Sequence, residues 1–224
     1  MRKVVLGELI EDSRSGFACG EIDPAGVIQV RMNNITKDGR LDFSVIRRVP
    51  LEAADVARRQ VEPGEVLFNA TNSPELVGKS AVFRGYAEPV VYSNHFLRLR
   101  TFKERLDGTF LAHWLHSLWL RGDFSRLCRQ WVNQATVSRD CLLELQIPLP
   151  PLEEQQRIAA ILDAADALRE KRRQALAKLD GLVQAVFLEM FGDAETKGWA
   201  MWPVSDLAAN IPNAIRTGPF GSQL

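Results

Sequence analysis

The stretch "QIPLPPLEEQQRIAAILDAADALREKRRQALAKLDGLVQAVFLEMFG", residues Gln146 to Gly192, decides how this chain is organised. Pro148, Pro150 and Pro151 each fix their own φ and disfavour helix in the residue before them, so the chain enters this stretch extended. A proline is nevertheless tolerated in a first helical turn, and Glu153 and Glu154 sit where a helix N-terminus favours carboxylates. The pattern then predicts a helix from Leu152 to Phe191, stopped by Gly192. Along it Ile158, Ile161, Ala165, Leu168, Ala175, Leu179, Leu182 and Val186 recur three and four residues apart, the coiled-coil spacing, with Arg172 interrupting the seam. Such a rod would be about 60 Å long at 1.5 Å per residue. It cannot bury its own apolar stripe, so a helix-pairing partner is expected from another chain or from a part beyond this one.

Upstream of Pro151 the texture changes. "GVIQVRM", "EVLFNA", "SAVF", "PVVYS" and "FLRLR" are short β-prone runs separated by Gly, Asn and Pro. One clear helix lies among them, "DGTFLAHWLHSLWLRGDF", with Asp107 as its N-cap and Gly122 at its end. Strands around a helix predict an α+β globule over residues 1–150, followed by a protruding helical spacer over 151–192. After Gly192 the chain echoes its own beginning. "WPVSDL" parallels "VVLGEL", and Arg216–Gly218 parallels Arg14–Gly16. The echo predicts the order globule, rod, second globule, with 193–224 as a linker and the first residues of that second globule. Its exposed Trp202, Ile211, Ile215 and Phe220 would then need a surface to cover them.

Composition bounds the function broadly. The 224 residues carry 28 Lys and Arg against 28 Asp and Glu, so net charge points to neither nucleic acid nor membrane. Cys19, Cys128 and Cys141 are scattered with no C-x-x-C, which fits reduced thiols. No signal peptide or membrane span is visible, and a cytoplasmic protein is expected.

Several motifs have chemical readings, and each has a bland competitor. "LVGKS" at Leu76–Ser80 looks like the tail of a phosphate-binding loop, but the position where that loop needs its first glycine is Ser73, followed by Pro74. His113 and His116 have a metal-chelating spacing yet lie among Trp114, Leu115, Leu118 and Trp119 with no further ligand at metal spacing, so packed histidines are the better reading. No catalytic triad, zinc or dinucleotide motif is present, and no cofactor is expected. The chain reads as a binder rather than an enzyme. Its polar clusters suit that role: Arg31, Asn33, Asn34, Thr36 and Lys37 in "RMNNITKDG"; Asn69, Thr71, Asn72 and Ser73 in "FNATNS"; Asn94 and His95; and Asn133, Gln134, Thr136 and Arg139 in "WVNQATVSRD". Asn, Gln and Arg pair bidentately with purine edges. Such residues also bond their own backbone in turns, and that reading stands beside the first.

These motifs resemble a known family. "IPLPPLEEQQRIAAILD" is similar to the opening of the helical region of type I restriction–modification specificity subunits. "VRMNNITKDGRLDF", "PGEVLFNATNSPELVGKSAVF" and "RDCLLELQIPLP" resemble segments of that family's target recognition domains, and "RTGPFGSQL" resembles the start of another. The resemblance implies two recognition domains joined by long helices that pair antiparallel. It also implies double-stranded DNA as ligand, with modification (methyltransferase) subunits and restriction (nuclease/translocase) subunits docked around them. Catalysis would lie in those partners. The rod would be a ruler between two DNA half-sites, and a half-subunit could pair its rod with a second copy's as a homodimer. Arg31, Asn33, Asn34, Asn69, Thr71, Asn72, Asn94, Gln134 and Thr136 are the expected DNA-facing residues, with Arg14 and Lys79 as phosphate contacts. The competing reading is a coiled-coil scaffold whose globule binds protein.

Overall fold

The computed structural model describes residues 3–131, 134–192, 198, 200 and 202–208. The chain forms two compact units, Met1–Ala165 and Asp166–Leu224. The first unit begins with β1 (Lys3–Val5), a 3-10 turn (Leu6–Leu9), β2 (Ile10–Ser15), β3 (Val27–Val30), a second 3-10 turn (Met32–Asn34) and β4 (Arg47–Val49). It continues through α1 (Ala53–Arg59), β5 (Val66–Asn69), β6 (Thr71–Asn72), β7 (Ser80–Val82), β8 (Val90–Tyr92) and β9 (Phe96–Thr101). Then come α2 (Gly108–Leu120), α3 (Asp123–Leu127), β10 (Arg129–Trp131), β11 (Gln134–Thr136), α4 (Arg139–Leu143) and β12 (Gln146–Pro148). The last long element is α5 (Leu152–Phe191), and α6 (Val204–Leu207) lies in the second unit.

The α+β class and the long C-terminal helix are as the sequence predicts. All five β-prone runs become strands, and the Asp107 carboxylate accepts a hydrogen bond from the Phe110 N–H to cap α2. Gly122 ends the helical pattern at φ 75°, a conformation that costs glycine least. The sequence shows one helix upstream of Pro151 where the described residues form four. The other three span only five to seven residues, too short for a helical period to register.

The frame of the first unit is an antiparallel sheet in the order β2–β9–β5–β7. The β5 segment shows no apolar–polar alternation because both faces of the sheet are covered. On one face Val66, Phe68, Leu97 and Leu99 pack with Leu111, Leu115 and Phe124. On the other, Leu67, Ala81 and Phe96 pack against Ile28, Val30, Val90 and Tyr92 of the second sheet, β4–β3–β8. The strand before α5 returns to the start of the chain: β12 pairs antiparallel with β1, Val4 opposite Ile147.

The beginning of α5 belongs to this unit. Gln155 is fully buried. Its Oε1 accepts from the Asp107 N–H at 2.9 Å, and its Nε2 donates to the carbonyls of Arg105 (3.0 Å) and Pro150 (2.9 Å). Asp163 accepts two bonds from Arg84 at 2.7 and 2.8 Å and lies 3.0 Å from Nε2 of His113. The compact unit therefore reaches Ala165, where the sequence places its end at 150. Ile158, assigned by spacing to the helix-pairing seam, instead packs against the unit's own core, because three turns of helix are needed to close it. Further along, Ile161, Leu168, Leu179, Leu182 and Val186 are exposed, and so is Ala175. Leu176, Val183, Phe187 and Met190, which the three-four seam omits, widen the uncovered stripe. Gly192 terminates α5 at φ 64°, its N–H donating to the Leu188 carbonyl. Among the described residues no helix is long and apolar enough to cross a membrane. The expected repeat at Arg216–Gly218, with Ile211, Ile215 and Phe220, lies outside the described residues.

Candidate nucleic-acid interface

Strand register gathers most of the predicted polar residues at one end of the sheets. Asn69 at the end of β5 lies opposite Phe96 at the start of β9, and Ser15 at the end of β2 lies opposite Leu97. Val30 at the end of β3 lies beside Tyr92 at the end of β8. A bridge between Phe17 and Ser93 joins these two groups of strand ends. The short sheet β10–β11–β6 adds to the same end, because the N–H groups of Ala70 and Thr71 both donate to the His95 carbonyl.

The residues gathered there differ in what their side chains can do. Arg14, Arg31, Asn33, Asn94 and Gln134 are exposed. Thr71, Asn72 and Thr136 are half-buried, with the Thr71 and Thr136 hydroxyls 3.2 Å apart across the β6–β11 pair. The Asn72 carbonyl oxygen accepts from the Ser73 N–H, so its amide nitrogen is the part left for a ligand. Asn34, Asn69 and Lys79 are buried. Asn34 is spent locally: its Oδ1 accepts from the Arg31 N–H, and its Nδ2 donates to the carbonyls of Asp42 and Val45. The Lys79 ammonium donates to the Ile35 carbonyl and, at 3.4 Å, to that of Met32. It is pointed into the protein, and burial, aided by Lys37, holds its pKa below the ordinary lysine value. Among the described residues neither amide atom of Asn69 has a hydrogen-bond partner. Burial thus removes these three from direct contact with a large ligand. Asn133 lies outside the described residues.

Other motifs also resolve into packing. In "LVGKS" the Gly78 N–H donates to the Asn69 carbonyl and Ser80 is fully buried, so the segment is packed inside the fold. His113 pairs with Asp163, and His116 stacks on Trp119 at 5.6 Å. Among the described residues no three His, Cys, Asp or Glu side chains cluster as metal ligands would.

The structure adds pairings that the sequence does not show. The Arg139 guanidinium donates to the Ser13 hydroxyl at 2.6 Å, bringing the start of α4 beside Arg14. One nitrogen of Arg47 donates to the carbonyls of Cys19, Gly20 and Glu21, and Arg59 lies 5.1 Å from the centre of the Phe17 ring, so two arginines shape the 17–26 segment. Composition carries no trace of these long-range pairings.

The sheet is covered on both faces and offers exposed amide and guanidinium groups at one end. Along α5 an apolar stripe stays exposed. A model of the type I restriction modification DNA specificity domain matches residues 57–178, just over half of the chain, and the chain belongs to that family. It is 31% identical over 165 residues to the putative type I restriction enzyme MjaX specificity subunit of Methanocaldococcus jannaschii, covering 73% of this chain and 39% of that one. It is 24% identical over 203 residues to the StySPI specificity subunit of Salmonella potsdam, covering 87% and 43%. The HsdS subunit from Thermoanaerobacter tengcongensis shares the fold, with a TM-score of 0.54 at 24% identity over 86% of this chain and 45% of that one. The chain spans less than half the length of these relatives.

Proposed function

We propose that this chain reads one half of a bipartite DNA target for a type I restriction–modification complex and is itself non-catalytic. Arg31, Asn33, Asn94, Thr71, Asn72, Gln134 and Thr136 are the base- and groove-facing set, and Arg14, with Arg139 beside it, holds phosphate. Residues 1–150, closed by the first turns of the helix, form the recognition domain, 151–192 are the spacer helix, and 193–224 lead toward a second domain. The exposed stripe from Leu168 to Val186 pairs with another long helix, either of a second recognition domain or of a second copy. Modification and restriction subunits dock around that pair and supply methyl transfer and cleavage. The observation that carries this reading is the convergence of seven exposed or half-exposed polar side chains from four chain segments on one end of the sheets. Phosphate contacts position a protein on DNA, whereas amide and guanidinium contacts to base edges specify sequence.

Selection from a duplex pool with a randomised core tests it. The full chain should enrich a single half-site, and Gln134→Ala should relax one position of it at a cost of about 1–3 kcal/mol. Enrichment of no sequence, with equal weak binding to every duplex, would favour a scaffold whose globule holds protein.

A further inference from the structure

Lys79 sits at a structural crossing that neither a phosphate contact nor a simple core residue explains. Only 6% of it is exposed. It lies directly across from Asn69, whose N–H donates to the Lys79 carbonyl at 2.8 Å. Gly78 before it has φ +90°, and a Cβ there would lie 2.3 Å from the Phe124 ring. Phe124 therefore pins the backbone that aims the lysine. The ammonium reaches the carbonyls of Met32 and Ile35, the two ends of one tight turn. Both acceptors are main-chain carbonyl oxygens, so an ammonium with three donors is well placed between them.

The same turn is held from within by the Asn34 amide, which ties Arg31 to the carbonyls of Asp42 and Val45. Ile35 seats it on the second core. With these groups turned inward, Arg31 and Asn33 are the two side chains of the turn left exposed. An anchor at both ends fixes not only where the turn sits but how it is rotated, and rotation decides which base edge an arginine reaches.

We propose that Lys79 is a positioning residue for base reading: it latches the Met32–Ile35 turn so that Arg31 and Asn33 meet the target in one orientation, without itself touching DNA. This rests on the DNA-reading role proposed above.

The test uses the full chain as parent, Lys79→Met, Lys79→Gln, Arg31→Ala and the Lys79→Met/Arg31→Ala double variant. Each is put through the same randomised duplex pool. Lys79→Met should lose about tenfold of discrimination at the base pairs that Arg31→Ala also loses. The double variant should lose no more than either single one. Positions read by residues outside this turn, and the salt dependence, should stay as in the parent. Lys79→Gln, which still donates to one carbonyl, should keep part of the discrimination and guards against a Met variant that folds poorly. In the free chain, exchange of the Asn34, Thr36 and Asp42 amides should quicken in Lys79→Met while β5 and β9 keep their protection. Uniform weakening with a shallower salt slope would make Lys79 a phosphate contact and overturn the proposal. So would a Lys79→Met chain that selects the parent's sequence as sharply as the parent does. A parent that selects no sequence at all overturns the DNA-reading role and the positioning role with it, a result distinct from failure of the latch alone.

Discussion

Arg98 carries its charge with 4% of its side chain exposed, and its neighbours show how the fold tolerates that. Its guanidinium pairs with Asp12, lies 3.4 Å from Glu65 and donates to the Gln60 carbonyl. Glu65, equally buried, also takes a 2.7 Å bond from Arg100. A buried ion pair adds little over an apolar substitute, but removing one partner strands the other charge. Burial pushes the Asp12 carboxyl up, yet the hydrogen bond from Arg14 and the charges of Arg98 and Arg14 outweigh it and hold its pKa below the ordinary 3.8. A carboxyl depressed on folding adds stability that is fully present above its unfolded pKa and is lost as pH falls through the folded one. Asp12→Asn should therefore cost on the order of 2 kcal/mol at neutral pH, softened by the remaining Glu65 and Gln60 contacts. It should also flatten the loss of stability below about pH 4. Urea unfolding at pH 3 and pH 7 measures both, and an unchanged acid limb would assign that limb to other carboxylates.

At the scale of elements, α5 uses one amphipathic pattern for two purposes. Its first turns fill the core of the first unit through Gln155, Ile158 and Ala159. From Asp166 on, its apolar residues face water, with Leu179 57% and Leu182 53% exposed. Ion pairs such as Arg169–Asp166 and Arg173–Glu170 support the helix locally by a few tenths of a kcal/mol each. They do not cover the stripe. Leu179→Asp should leave the thermal unfolding of the globule unchanged, since the residue touches none of its core. It should weaken helix pairing by roughly 3 kcal/mol, because an unpaired carboxylate would be buried in an apolar seam. Sedimentation of parent and variant across a concentration series decides this, and equal association would put the seam elsewhere on the helix.

At the scale of the whole chain, the boundary of the folded unit is itself testable. A chain ending at 168 should melt at the same temperature as the 224-residue chain. One ending at 150 should lose several kcal/mol, because the Asp107 N–H and the carbonyls of Arg105 and Pro150 would lose the three bonds that Gln155 makes. Equal melting of all three would mean the helix is only an appendage of the globule. This boundary was legible in the sequence to within about four turns of helix. The proline-to-helix switch at Pro151 marks where secondary structure changes, and it does not mark where packing ends. The long helices α2 and α5, the five apolar strands, the N-cap at Asp107 and the stops at Gly122 and Gly192 were readable because each depends on residues within a few positions of one another. The polar clusters were readable as clusters for the same reason. Which of their members face outward was not. Asn33 and Asn34 are adjacent and chemically identical, yet one is exposed and the other is locked to Asp42 and Val45. Lys79 shows the same limit, turned inward by a turn forty-odd residues away. A side chain's period along the chain is a local property of the backbone. Its hydrogen-bond partner is set by strand register across the sheets, and that exists only once the tertiary fold has closed.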